Sequence, residues 1–250
     1  MFLAGLSVGL FVLALVSGML GLGVAFAAVP FLGLFLPDLV HQVQPLTLLL
    51  NGITALFATF GFARSSHVRW KDAILLATVT TIMAPCGALL AEVVPQFYIW
   101  IVYFAAVLFL AIRMLMPDTR STVQDEDSGS GNLKGALLLA IPISVLAGLL
   151  GIGPGFLLMP TLMLLKFPPK KAAGITALAV TPPSFSAFLP HMATATINLH
   201  MAVALLIAGA IGAFLGARIT SLYVPGKRLK QLFGVLIVIT TAYKLYTMIA

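Results

Sequence analysis

Long, unalternating apolar runs dominate the chain, separated by short polar stretches or by clusters of proline and glycine. Cut at those breaks, the pattern predicts ten helical elements near residues 2–17, 24–36, 43–62, 72–91, 97–116, 134–149, 154–166, 171–190, 201–222 and 230–249. A run of about 20 apolar residues suits a helix crossing roughly 30 Å of hydrocarbon, where backbone polar groups must be satisfied within the segment. A membrane barrel would instead show short alternating segments. The stretch from Met1 to Val16 has no basic start, and its apolar run continues to Leu36, so it reads as a first membrane element rather than a cleavable signal. The expected fold class is an all-α integral membrane protein.

Composition sharpens this reading. The 250 residues are 61% hydrophobic and 8% charged, with a mean hydropathy of +1.12, against about 25% charged in soluble domains. That excludes a water-soluble surface. Cys86 is the single cysteine, so neither an intramolecular disulfide nor a thiol-rich metal site can form, and a buried, inert thiol is expected. The net charge of +7 comes from basic residues lying between apolar segments. Membrane topology accounts for them better than nucleic acid does.

The chain repeats itself. Gly18-Met19-Leu20-Gly21-Leu22-Gly23-Val24-Ala25-Phe26, with Pro30, matches Gly148-Leu149-Leu150-Gly151-Ile152-Gly153-Pro154-Gly155-Phe156, with Pro160, at an offset of 130 residues. The same offset, within one residue, pairs Thr47 with Thr176, Gly87-Ala88 with Gly216-Ala217, and Val94-Pro95 with Val224-Pro225. This divides the chain into a first repeat at 1–117, a linker at 118–133 and a second repeat at 134–250. The linker holds Asp125-Glu126-Asp127 and Ser128-Gly129-Ser130-Gly131 and reads as flexible.

Five elements per half is an odd number, so the second half must be inverted relative to the first. If each glycine segment reverses the chain, one face collects Arg64, Arg69, Lys71, Arg113, Arg120, Lys134, Lys166, Lys170, Lys171, Arg218, Lys227, Arg228 and Lys230, leaving Lys244 on the other. If each segment lay within one straight span, loops 64–71 and 166–171 would fall on opposite faces. The excess of cytoplasmic Lys and Arg in membrane proteins selects the first arrangement. The termini are then outside, and loops 63–71, 117–133, 166–171 and 222–229 are cytoplasmic. The short second elements favour broken, re-entrant hairpins near 18–26 and 148–156.

Non-helical backbone at membrane depth is tolerated where protein or a water-filled cavity surrounds it. Each glycine segment leads into a helix start, near residue 24 or 154, whose free N–H groups and partial positive charge suit an anion. The expected binding residues are Gly21, Gly23, Val24, Ala25 and Phe26 in one copy, and Gly151, Gly153, Pro154, Gly155 and Phe156 in the other. Pro154 suits the first turn of its helix. The competing reading is that these glycines simply let helices pack closely.

Asn51, central in its element, has Thr181 as its mate, and both are candidates for orienting substrate oxygens; Pro182-Pro183 should interrupt the helix there. Thr47, Thr54, Thr176 and Ser184 share these segments as neutral donors, with interhelical bonding as their alternative role. Pro85-Cys86-Gly87, Gly209, Gly212 and Gly216 suggest tight packing or a hinge. His41, His67, His191 and His200 fall in predicted loops, and with no carboxylate partner expected for His41 and His191 in those loops, no metal is expected. No Asp or Glu lies near the centre of an element, which disfavours coupling through a buried proton carrier and an intramembrane hydrolase alike. A catalytic role is not expected.

The duplicated Gly-x-x-Gly-x-Gly segment, each copy followed by Phe and then Pro30 or Pro160, resembles the TauE/SafE family of sulfite and organosulfonate exporters. The resemblance covers nearly the whole chain. It implies an inner-membrane permease for a small sulfur oxyanion or another organic anion. With the two inverted halves, the expected mechanism is alternating access at a midplane site for a small oxyanion such as sulfite or a sulfonate. An anion channel with the same site, or a non-transporting scaffold, is the alternative. Val24-Ala25 against Pro154-Gly155 departs from the glycine-rich pattern and makes the two half-sites unequal. The partners expected are a small anionic substrate and the lipid bilayer, with a homodimer left open and no nucleic acid. No cofactor is expected.

Overall fold

The apolar runs become helices. The computed structural model describes residues 2–91, 94, 95, 98, 101, 105, 131–226 and 228. The predicted elements 97–116 and 230–249, and nearly all of the linker, lie outside the described residues. Among the described residues there are eight α-helices and no strand: α1 (Phe2–Leu20), α2 (Ala25–Leu32), α3 (Gln44–Ala63), α4 (Trp70–Ala91), α5 (Leu133–Leu150), α6 (Gly155–Leu164), α7 (Pro169–Phe188) and α8 (Leu199–Tyr223). A π-helical turn, Leu39–Val43, leads into α3, and a 3-10 turn, Leu189–Ala193, follows α7.

Six of these, α1, α3, α4, α5, α7 and α8, are long and apolar enough to cross a bilayer, and the chain is an all-α, multi-pass membrane protein. The other two are shorter than the sequence suggests, with 8 residues in α2 and 10 in α6. At 1.5 Å per residue they reach roughly 12 and 15 Å, about half the hydrocarbon thickness. The α6 helix stops just before Lys166, whose φ of 67° is left-handed.

The spans containing α3 and α7 are 67% buried, against 33–39% for the other four. Of the six long helices these two are therefore the innermost, with the short α2 and α6 also buried and the other four long helices outside them. The surrounding helices turn apolar side chains such as Ile74, Ile82, Ile207 and Ile211 outward, as contact with lipid requires.

Helix α1 packs along α8, and α4 along α5. Both pairs are brought together by small residues. A methyl group on Gly18 would strike the backbone of Ala213, and one on Gly216 the carbonyl of Leu15; Gly148 meets the carbonyl of Ala84, and Gly87 that of Val145. With the 130-residue offset, each of these contacts recurs with the halves exchanged. Close backbone approach through small residues is how membrane helices associate without a hydrophobic driving force.

The prolines depart from expectation. Pro182 and Pro183 do not interrupt α7, which runs through both. A proline withholds an N–H from the carbonyl four residues earlier, and a neighbouring hydroxyl can replace it. The carbonyl four before Pro183 belongs to Ala179, and it accepts the Thr80 hydroxyl of α4 at 2.8 Å. In return, Pro85 of α4 leaves the Thr81 carbonyl without its helical donor, and Ser186 of α7 supplies a hydroxyl at 3.1 Å.

Three single-residue expectations also change. Cys86 is exposed rather than buried, because Ala84, Gly87 and Ala88 take the packed face of α4 and turn it outward. His200 lies within the first turn of α8 rather than in a loop. His41 does have a carboxylate partner, since its Nδ1 lies 2.9 Å from Asp38 Oδ2.

Candidate functional site

Both glycine segments break the chain in the same way. Gly21 and Gly151 end α1 and α5 at φ values of 66° and 65°, and Gly23 and Gly153 follow at 73° each. A left-handed backbone is cheap for glycine and costs other residues about 1–2 kcal/mol. The carbonyls left at each helix end are capped alike: Leu22 N donates to Ser17 O at 3.1 Å, and Ile152 N to Ala147 O at 3.3 Å. The same break between helices is thus written twice in the sequence and built twice in the fold.

The two turns meet on one side chain, Asn51 of α3. A methyl on Gly23 would strike Asn51 Oδ1, and one on Gly153 would strike Asn51 Nδ2. Gly155 lies against the carbonyl of Leu22, so the turns also touch each other directly. The Phe26 and Phe156 rings stack across the junction at 5.3 Å between centroids, 18° from parallel. Residues 18–26 and 148–156 therefore share one location.

The start of α2 is bonded by side chains of α3. Val24 N donates to Thr54 Oγ1 at 3.2 Å, and Ala25 N to Asn51 Oδ1 at 2.9 Å. Thr54 passes its own proton to Leu50 O at 2.7 Å. The Asn51 amide then crosses to the second half and donates to Ser184 Oγ at 2.8 Å, while Ser184 donates to Val180 O at 2.7 Å. Asn51, Thr54 and Ser184 are all buried, so every group in this chain of bonds is neutral and shielded from water.

The start of α6 is not equivalent. Pro154, its N-cap rather than its first helical residue, has no N–H to give. Ser184, which lies 130 residues after Thr54, consequently takes the Asn51 amide instead. Thr181, the mate of Asn51, turns its hydroxyl back to Ala177 O at 2.9 Å within α7. No acceptor for the Gly155 N–H is found among the described residues. Two donors of one helix start are therefore taken by side chains, and the other start keeps the Gly155 donor open.

Of the residues expected from the sequence, Gly23, Val24, Ala25, Phe26, Asn51, Gly153, Pro154, Gly155 and Phe156 come together; Gly21 packs against Ala173 and Gly151 against Gln44, and the Thr181 hydroxyl bonds within its own helix. Thr54 and Ser184 belong to the junction more firmly than Thr181 does. Their signal was present in their own 130-residue spacing, which the pairing of Asn51 with Thr181 obscured. Among the described residues, no cluster of three or more His, Cys, Asp or Glu side chains is placed to hold a metal ion.

Comparison with known proteins gives a consistent picture. The family model described as "Sulfite exporter TauE/SafE" matches residues 6–244. The chain is 28% identical over 240 residues to "Probable membrane transporter protein YunE" of Bacillus subtilis, covering 84% of this chain and 87% of that one. It is 25% identical over 238 residues to a "Probable membrane transporter protein" of Xylella fastidiosa, covering 92% and 89%. A third relative, "Probable membrane transporter protein YdhB" of Bacillus subtilis, is 22% identical over 219 residues, covering 85% and 88%. No solved structure matches the chain.

Proposed function

We propose that this chain, which belongs to the TauE/SafE sulfite exporter family and is a membrane transporter, carries a small oxyanion such as sulfite or an organosulfonate outward across a bacterial-type inner membrane. The observation that carries this reading is the meeting of the two left-handed glycine turns on Asn51. Helix starts aimed at one buried place offer N–H groups and partial positive charge to an anion without a fixed countercharge. A site of neutral donors binds weakly enough to release its cargo. Gly155 N supplies the open donor, and Phe26 and Phe156 exclude water beside it.

The mechanism is alternating access between two inverted halves, 1–117 and 134–250, joined by the linker at 118–133. Support comes from the exchange of equivalent contacts between α1 with α8 and α4 with α5. The basic loops lie in the cytoplasm and the termini outside. An inside-negative potential favours anion exit by about 2.3 kcal/mol per charge per 100 mV, so export proceeds without a coupled ion.

The test is a substrate screen in proteoliposomes under an imposed voltage, with sulfite, methanesulfonate and isethionate as probes. Saturable flux of at least one of them, driven towards the positive side, is the expected result. Flux that never saturates would replace the carrier with a channel, and no flux of any anion would remove the transport cycle proposed here.

A further inference from the structure

Away from the glycine junction, α3 and α8 leave a groove of about 560 Å³ between them. Its walls are apolar and largely aromatic: Phe57 and Phe60 from α3, and Ile211, Phe214 and Leu215 from α8. One end is different. Arg64, the residue that follows the last turn of α3, closes it with its guanidinium 5.5 Å from the centre of the Phe214 ring. Among the described residues Arg64 has no carboxylate partner, whereas nearby Arg69 is paired with Asp72 at 2.9 Å.

Aromatic residues at the neighbouring helix ends assign that end of the groove to the lipid headgroup level. Trp70 at the start of α4 and Tyr223 at the end of α8 are both exposed there, and amphipathic aromatic rings collect at membrane interfaces. The end of α8 is fixed to the same level, because Arg218 Nη1 donates to Ser65 Oγ at 2.9 Å and Ser65 donates to Ser221 Oγ at 3.0 Å. A cation at headgroup depth above a trough of rings and aliphatic chains matches one amphiphile: a negative head on an acyl chain.

We propose that this groove is a binding site for an anionic phospholipid, with the acyl chain along Phe57, Phe60 and Ile211 and the phosphate on Arg64. Charge complementarity sets the choice. A zwitterionic lipid would fill the trough equally well, but its ammonium group would offset the attraction of Arg64 for its phosphate. Basic pockets between membrane helices commonly hold anionic headgroups. Arg64 stays over the Phe214 face, and this contact holds the guanidinium in the position that the phosphate requires.

The test reconstitutes the full chain in bilayers of phosphatidylcholine, alone or mixed with phosphatidylglycerol, and reads the lipids it retains by native mass spectrometry. Wild-type protein should retain phosphatidylglycerol in preference to phosphatidylcholine. Arg64→Gln should lower that preference about fivefold, the effect of one cation near an anionic surface. Arg64→Lys should keep most of it, and Arg69→Gln should leave it unchanged. Ile211→Trp, which fills the trough, should lose retained lipid of both kinds. An unchanged preference in Arg64→Gln overturns the proposal, as do crosslinks from Phe57 or Ile211 to a second copy or to residues 230–249. None of these readings depends on transport, so failure here is separable from failure of the oxyanion site.

Discussion

Asn51 bonds the start of α2 through its carbonyl and Ser184 of the other half through its amide. Replacing it with leucine keeps the branched shape with somewhat more bulk, and leaves the Ala25 N–H without its acceptor and the Ser184 oxygen without its donor. Unsatisfied buried groups cost about 1–3 kcal/mol each, so Asn51→Leu should insert into membranes, unfold at a lower temperature than wild type, and lose flux at least tenfold. Thermal unfolding in detergent, with flux per inserted molecule, checks both parts. The role of Asn51 was legible because an amide amid apolar residues is conspicuous. That of Ser184 was not, because a hydroxyl among prolines could equally have turned back on its own helix. Thr181 shows the alternative: short hydroxyl side chains readily bond the carbonyl four residues earlier, as Thr181 does with Ala177.

Among the elements, the helices followed from the apolar pattern to within a few residues, while the prolines did not behave as local rules predict. A proline pair in isolation breaks a helix. Here the freed Ala179 carbonyl is met by Thr80, and the freed Thr81 carbonyl by Ser186. These partners lie about a hundred residues away in the chain, and no local reading locates them. Removing the Thr80 hydroxyl with Thr80→Val should cost about 1 kcal/mol, given that interhelical hydrogen bonds in membranes are worth ~0.6–2. If Pro183→Ala restores a backbone donor to Ala179, the same valine change should cost clearly less in that background. A double-mutant cycle on thermal or denaturant stability reads the difference. Equal costs in both backgrounds would show that the hydroxyl does not stand in for the missing N–H. The lengths of α2 and α6 were overestimated for a related reason: their apolar character continues past their ends, and backbone geometry rather than hydropathy stops them.

Across the whole molecule, duplication was the most legible feature, since one offset relates the glycine turns, the close helix contacts and the loop prolines. Which half packs on which was not legible, because the pairing of α1 with α8 and of α4 with α5 depends on contacts far apart in sequence. The proposed topology makes its own prediction. With Cys86→Ser as background, Ser66→Cys should react with a membrane-impermeant thiol reagent from the cytoplasmic side alone, and Thr194→Cys from the outside alone. Both residues are exposed, so labelling of the pair from one side would overturn the inverted arrangement.

The central claim is that two left-handed turns, meeting on one asparagine, form the place where the anion is held. Its most direct test is voltage-driven sulfite flux in proteoliposomes for wild type and Gly153→Ala, normalised to inserted protein. A methyl there strains the backbone by about 1–2 kcal/mol and strikes Asn51. The account predicts normal insertion with at least tenfold lower flux; unchanged, saturable flux from a well-folded Gly153→Ala protein would contradict it.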